Sequence, residues 1–189
     1  GLDIVKDAVA AAKARGAEGI VISFLHGFRN GAHEQEAARI IRETAPELFV
    51  FTSAEIWPVI REYERTTTAI INGYVHPRVA HYLASLQDAL RQSGVPDEPL
   101  VTKSNGGVMS AELGKTSCVN MVLSGTASGV IGGAFVARTC GVDNAITLDI
   151  GGTSADVAVV IGGEPQYGMG EKIGEFPLYI PSVSVTSIG

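Results

Sequence analysis

At 189 residues, 46% hydrophobic and 18% charged, the chain has the make-up of a soluble globular protein of one domain or one and a half. Its net charge of −6 argues against a nucleic-acid surface, which needs a basic face to displace counterions. No leader peptide heads it, and no run reaches the ~18 apolar residues of a membrane span. The nearest approach, Met121 to Ala137, is broken by Ser124, Thr126 and Ser128. Cys118 and Cys140 are the only cysteines and form no CxxC, which fits a reducing, cytoplasmic setting. Both read as small buried apolar side chains. The sequence opens at Gly1 in helix-like sequence and stops after an apolar stretch at Ile188-Gly189, so both ends read as cuts.

The predicted elements run as follows. Asp3 caps a first helix ending near Arg15, with Gly16 as its stop. Gly19 to Leu25 is an apolar run of the kind buried on both faces of a sheet. A polar loop, His26 to Gly31, leads to a helix over 32–44, and Phe49 to Thr52 is a short strand. This alternation is that of an α/β layer. From Ile60 to Leu90 the apolar residues keep helical spacing, with a kink or a fresh helix start expected at Pro77. Ser93-Gly94 ends that segment, and the Val95 to Pro99 stretch is the expected boundary between regions 1–97 and 98–189. Beyond it come a strand over 100–103, a turn over 104–107 and a glycine-rich helix over 123–138, closed by Gly141. Strands follow over 145–150, 156–161 and 178–185, with Gly162-Gly163 turning between two of them.

The stretch richest in chemistry is Asp149-Ile150-Gly151-Gly152-Thr153-Ser154-Ala155-Asp156. A strand delivers an acid at its end, glycines turn the chain, and a second strand leaves. Without Cβ atoms in the way, the amides of Gly151, Gly152 and Thr153 are free to point at one anion. Asp149 then stands where magnesium bridges protein and phosphate, and the Thr153 hydroxyl adds a donor. An ordinary glycine hairpin with a chance acid is the bland alternative. The chain has no GxxxxGK[ST], and the residues after the glycines alternate like a strand, so neither a P-loop nor a dinucleotide fingerprint fits. In the preceding helix Gly125, Gly129, Gly133 and Ala137 form a flat stripe for a second helix or for a close helix–sheet contact.

DxGGTxxD resembles the second phosphate hairpin of actin-like ATPases, a group that includes sugar kinases. Four further stretches narrow the resemblance: Ser53 to Pro77, with its R-E-Y-E-R, T-T-T, N-G-Y and H-P; Phe28-Arg29-Asn30 followed by His33-Glu34; Ser104 to Gly107; and Ser124-Gly125. Together they are similar to the hydantoinase A/5-oxoprolinase family over essentially the whole chain. The resemblance implies a partial actin-like (ribonuclease H-like) α/β fold, with mixed sheets flanked by helices. Residues 1–97 would close the family's N-terminal region, and 98–189 would open its hydantoinase A domain.

The same resemblance implies ATP-dependent hydrolysis of a cyclic amide such as hydantoin or 5-oxoproline, by phosphoryl activation. The alternatives are an ATP-dependent ketone carboxylase subunit and a non-catalytic nucleotide-binding or scaffold module. ATP and magnesium are the implied cofactors, a second enzyme subunit the possible partner, and the isolated piece is expected to be inactive. Asp149 is the catalytic and metal residue by resemblance. Gly151, Gly152, Thr153, Ser154, Asp156, Asn105, Ser124 and Gly125 line the nucleotide, with Asp156 bracing the turn.

Other polar residues carry two readings each. Asn105 contacts ligand or occupies a left-handed turn. His33 and Glu34 face a metal, or cap a helix and offset its dipole, the second being favoured. Arg61, Glu62, Tyr63 and Arg65 serve ligand or form a salt-bridged surface turn. Two places depart from the family pattern: Thr126 replaces a proline in the Ser-Gly-Pro-Ala motif, and Ser184 and Thr186 replace an Asp-x-His.

Overall fold

The computed structural model describes residues 2–188 and their side chains, those of Leu2, Gly170 and Glu171 excepted. Gly189, which ends the Thr-Ser-Ile-Gly run, lies outside these residues. Two compact units form, Gly1–Arg78 with Lys172–Tyr179, and Val79–Glu171 with Ile180–Gly189.

In the first unit α1 (Leu2–Ala14), β1 (Gly19–Ile22), α2 (Ala32–Thr44), β2 (Phe49–Thr52) and α3 (Ser53–Ile56) precede the start of α4 (Glu62–Gln92). β1 and β2 pair in parallel, Gly19 opposite Phe49 and Ile22 opposite Thr52. Gly19 is needed at this start, since a Cβ there would lie 1.9 Å from the Phe49 ring. Val9 of α1, Ala37, Ala38 and Ile41 of α2, and Ile22 and Val50 of the strands share one core. That is the α/β layer expected from the alternating elements.

Three details differ from the sequence expectations. Asp3 lies inside the first turn of α1, which begins at Leu2, so it offsets the dipole and does not cap. β1 stops at Ile22 and is mostly half-buried, because the Phe24 amide leaves the ladder to donate to Glu34 Oε1 (2.8 Å). Of the kink or fresh helix start expected at Pro77, the fresh start is absent: α4 runs through it. One backbone bond is lost there, but buried Ile71 and Asn72 before it and Leu83 after it hold the flanks in place.

The second unit opens, after the end of α4, with the hairpin β3 (Leu100–Thr102) and β4 (Val108–Ser110). α5 (Ala111–Thr116), a 3-10 turn over Cys118–Met121 and α6 (Ser124–Thr139) follow. Next come β5 (Ala145–Ile150), β6 (Ala155–Ile161), β7 (Glu164–Pro165), β8 (Tyr167–Ile173), β9 (Phe176–Val183) and β10 (Thr186–Ile188). The sheet order is β10-β6-β5, antiparallel throughout, with β7 paired to β6. β8 and β9 pair with each other, and their residues 172–179 belong to the first unit.

The strand expected over 178–185 is split: β9 ends at Val183 and β10 starts at Thr186. Between them the Ser184 amide donates to the Gln166 carbonyl, which takes it out of the ladder. α6 packs through Ala127 and Val130 against Ala158 of β6 and Val183 at the end of β9. Cys118 is buried as expected, whereas Cys140 is exposed, because it follows the last turn of α6 where the chain leaves the sheet. Among the described residues no helix is long and apolar enough to cross a membrane.

Candidate functional site

Strand alternation builds the site in the second unit. In the β5–β6 ladder Asp149 stands directly opposite Asp156, Thr147 opposite Ala158 and Ile150 opposite Ala155. Two carboxylates therefore face one another across the strands at the mouth of the hairpin. They lie on the side that α6 covers, since a Cβ at Gly129 would come 3.8 Å from Asp149 Oδ2. One turn on, a Cβ at Gly133 would come 2.5 Å from Thr147 Cγ2. Within the unit the small-residue stripe is thus a helix–sheet contact at Gly129 and Gly133, with Ala137 buried and Gly125 facing open space. Thr126, Gly129, Gly133, Thr147, Asp149 and Asp156 line a groove of about 470 Å³ along β5.

The two acids differ in surroundings. Asp156 is half-buried and accepts from Thr126 Oγ1 (3.1 Å) and from Ser187 Oγ (2.6 Å). It ties the first turn of α6 and strand β10 to the hairpin. The Thr126 hydroxyl makes the tie to α6. Asp149 is exposed. Among the described residues no group of three or more His, Cys, Asp or Glu side chains is placed to hold a metal ion.

In the turn, the Gly151 amide donates to the Ser154 carbonyl (2.9 Å), so it closes the loop and is not free to point at an anion, as the sequence suggested. Gly152 and Thr153 are exposed, and no bond from either amide is seen among the described residues. Neither Gly151 nor Gly152 has a left-handed backbone, so conformation alone does not demand glycine there. A Cβ at Gly152 would meet nothing within 4 Å. What glycine preserves at this point is bare backbone beside open space.

Ser124 and Gly125 occupy the first turn of α6, the turn whose Thr126 bonds Asp156. Asn105 sits in the β3–β4 turn and accepts from the Gly107 amide (3.0 Å). The left-handed residue of that turn is Gly106, φ 80°, not Asn105. Buried Ser104 donates to the Asn120 and Val122 carbonyls, which makes it a fastener of the second unit. Ser184 and Thr186 are both exposed, and Thr186 pairs with Val157 in the ladder.

The first unit holds an arrangement the sequence reading did not anticipate. Glu34 was read as a helix cap with a dipole role, yet it is fully buried. Its Oε1 accepts from the Phe24 amide and Ser53 Oγ (both 2.8 Å), and its Oε2 from the Ala54 amide (2.9 Å). Arg65, read with its neighbours as a ligand contact or a surface turn, is fully buried as well. Its three nitrogens donate to Ser53 Oγ (2.9 Å), the Val59 carbonyl (3.1 Å) and the Phe24 carbonyl (2.6 Å). The missed signal was an acid on the apolar face of α2: Glu34 precedes Ala37, Ala38 and Ile41 at i+3, i+4 and i+7. Arg61, by contrast, is exposed and paired with Glu64, the surface arrangement that was one of its two readings.

The sequence profile described as hydantoinase/oxoprolinase matches residues 65–189. The alpha subunit of caprolactamase from Pseudomonas jessenii is 33% identical over 172 residues, 91% of this chain and 25% of that protein. The nucleotide-free structure of acetone carboxylase, from work on ATP-dependent acetone carboxylation, superposes at a TM-score of 0.88 and 31% identity, over 99% of this chain and 27% of that one. The crystal structure of ATP-dependent caprolactamase from Pseudomonas jessenii gives 0.85 and 32%, over 98% and 27%. The chain therefore spans about a quarter of the length of these relatives.

Proposed function

The chain belongs to the hydantoinase/oxoprolinase family, and from that premise we propose that it is part of an ATP-dependent enzyme that opens a cyclic amide by phosphoryl activation. The observation that carries this reading is the β5–β6 mouth: an exposed Asp149 opposite a braced Asp156, beside bare backbone at Gly152 and Thr153. The fold we assign is the actin-like ATPase fold, with this hairpin as its second phosphate loop.

In this reading the Gly152 and Thr153 amides and the Thr153 hydroxyl hold phosphate oxygens. Gly151 contributes by closing the turn, and Ser154 by its carbonyl, which accepts that bond. Ser124 and Gly125 bring the start of α6 to the nucleotide, and Asn105 contacts it from the neighbouring turn. Asp156 sets the geometry. Asp149 fits magnesium through its waters: it is an accessible oxygen donor, and magnesium is commonly held by one or two carboxylates plus phosphate and water. When bound, the ion neutralises charge on the transferring group.

The amide oxygen takes the γ-phosphoryl group as ADP leaves. Water then adds at the carbon, the C–N bond breaks as the nitrogen takes a proton, and a second water hydrolyses the remaining acyl phosphate to carboxylate and inorganic phosphate. Catalysis in such a transfer rests on positioning and on charge stabilisation. The 189 residues alone are expected to turn over nothing. The caprolactamase relative is named as a subunit, which supports a partner subunit here, and the setting we assign is the cytoplasm.

The likeness to acetone carboxylase favours a second reading, activation of a ketone oxygen with bicarbonate as co-substrate. Phosphate release from ATP by the full-length protein separates the two readings. Stimulation by caprolactam, 5-oxoproline or hydantoin is expected. Stimulation only by a simple ketone with bicarbonate would replace the amide reading, and nucleotide binding without stimulation by any compound would point to a non-catalytic module.

A further inference from the structure

The phosphate site leaves the buried charges of the first unit without a task. Arg65 and Glu34 do not bond each other directly: Ser53 stands between them, accepting from one and donating to the other. Burying such charges is a poor route to stability, because apolar side chains of similar volume do as well or better. What these two do is hold loops. Their bonds end on Phe24 after β1, on Ser53 and Ala54 after β2, and on Val59 before α4. Phe24 and Ala54 lie just past the carboxyl ends of parallel strands, where open α/β sheets bind their ligands.

The same edge carries backbone strain. Two of the non-glycine left-handed residues are His26, φ 59°, and Arg61, φ 83°. The His26 amide donates to Oε1 of Glu62, the residue after Arg61 (3.1 Å). Such conformations persist where the surroundings impose them, and they cluster at ligand clamps. Gly27 rests on the buried acid so closely that a Cβ would lie 2.4 Å from Glu34 Oε1. The Phe28 ring sits 5.9 Å from the Arg65 guanidinium carbon. The loop is thus pinned from beneath, while His26 and Arg29 remain exposed above. Exposed Leu25 and Ile60, next in sequence to His26 and Arg61, add apolar surface.

We propose that this edge holds the organic substrate. His26 and Arg29 donate to its carbonyl oxygen, its hydrocarbon part lies on Leu25 and Ile60, and Glu34, Ser53 and Arg65 are positioning residues that fix the loop. Hydrogen-bond donors beside apolar surface fit a neutral lactam. The proposal rests on the cyclic-amide reading above and adds to it where the amide sits.

The test uses the full-length protein and caprolactam, 5-oxoproline and hydantoin as probes. Hydrogen–deuterium exchange is read with and without each compound, and ATP phosphate release is titrated against each. The compound that stimulates release is expected to slow exchange over 23–31. His26→Asn keeps a side chain that tolerates the left-handed backbone. It is expected to raise KM for that compound about tenfold, with KM for ATP within about twofold. Arg65→Lys keeps the charge but loses the planar fork, and is expected to raise the same KM selectively. A merely structural role would lower Tm and move both KM values together. Stimulation with protection elsewhere, and an unchanged amide KM in His26→Asn, would overturn this proposal and leave the enzyme reading standing. A protein that none of the compounds stimulates or protects would overturn both.

Discussion

Asp149 and Asp156 show how strand register gives two like residues different tasks. Both end up on the α6 side of the sheet because they pair across one ladder. Only Asp156 is bound by hydroxyls, from Thr126 and Ser187. Thr126→Val removes one of these donors from a half-buried acid, and a loss of about 0.5–1.5 kcal/mol in urea denaturation is expected. Phosphate release should fall with it if Asp156 sets the hairpin. The cysteines provide a check on the fold that does not involve the site. Burial pushes the Cys118 thiol up to about 11, so thiolate is scarce at pH 8, whereas Cys140 is exposed. A thiol reagent should modify Cys140 promptly in the native protein and Cys118 only on unfolding. In the sequence both cysteines read alike, because burial depends on where a helix ends relative to the sheet. Glu34 and Arg65 were misread for a related reason: a charge on an apolar face declares its burial only when a partner far along the chain is known.

Among the elements, the β5–β6 hairpin and the helices α2 and α6 were the most legible, since each follows from a strong local pattern. The apolar run of β5, the glycines and the alternation of β6 define the hairpin without help from the rest of the chain. The end of β1 and the break between β9 and β10 depend on partners elsewhere in the chain, Glu34 and Gln166, and the course of α4 through Pro77 on the burial of its flanks, Leu83 among them. α6 separates two uses of glycine. A Cβ at Gly133 would press on Thr147, whereas one at Gly132 meets nothing within 4 Å. Gly133→Val is expected to cost about 1–3 kcal/mol through overpacking. Gly132→Ala is expected to stabilise by roughly 0.5–1 kcal/mol, since it improves an exposed helix interior. Urea titration of the two variants distinguishes close contact from bare helix weakness, and equal effects would contradict the helix–sheet contact.

For the molecule as a whole, two units carry different chemistry on one chain. In the function proposed, the second offers an acid and bare amides to phosphate, and the first a pinned loop with exposed donors. Family membership was legible because several short motifs occur in order, while the substrate was not, because no one motif encodes it. The central claim concerns Asp149, and phosphate release from ATP by the full-length protein tests it most directly, wild type beside Asp149→Asn, with magnesium and a stimulating lactam. The substitution is nearly isosteric at an exposed position, so folding should be unchanged by circular dichroism. The expected result is lactam-stimulated release that falls on the order of 100-fold or more in the variant, the scale of losing a charge-stabilising group at a transferring phosphoryl. Release at the wild-type rate from a folded Asp149→Asn protein would contradict the assignment of this hairpin to phosphate chemistry.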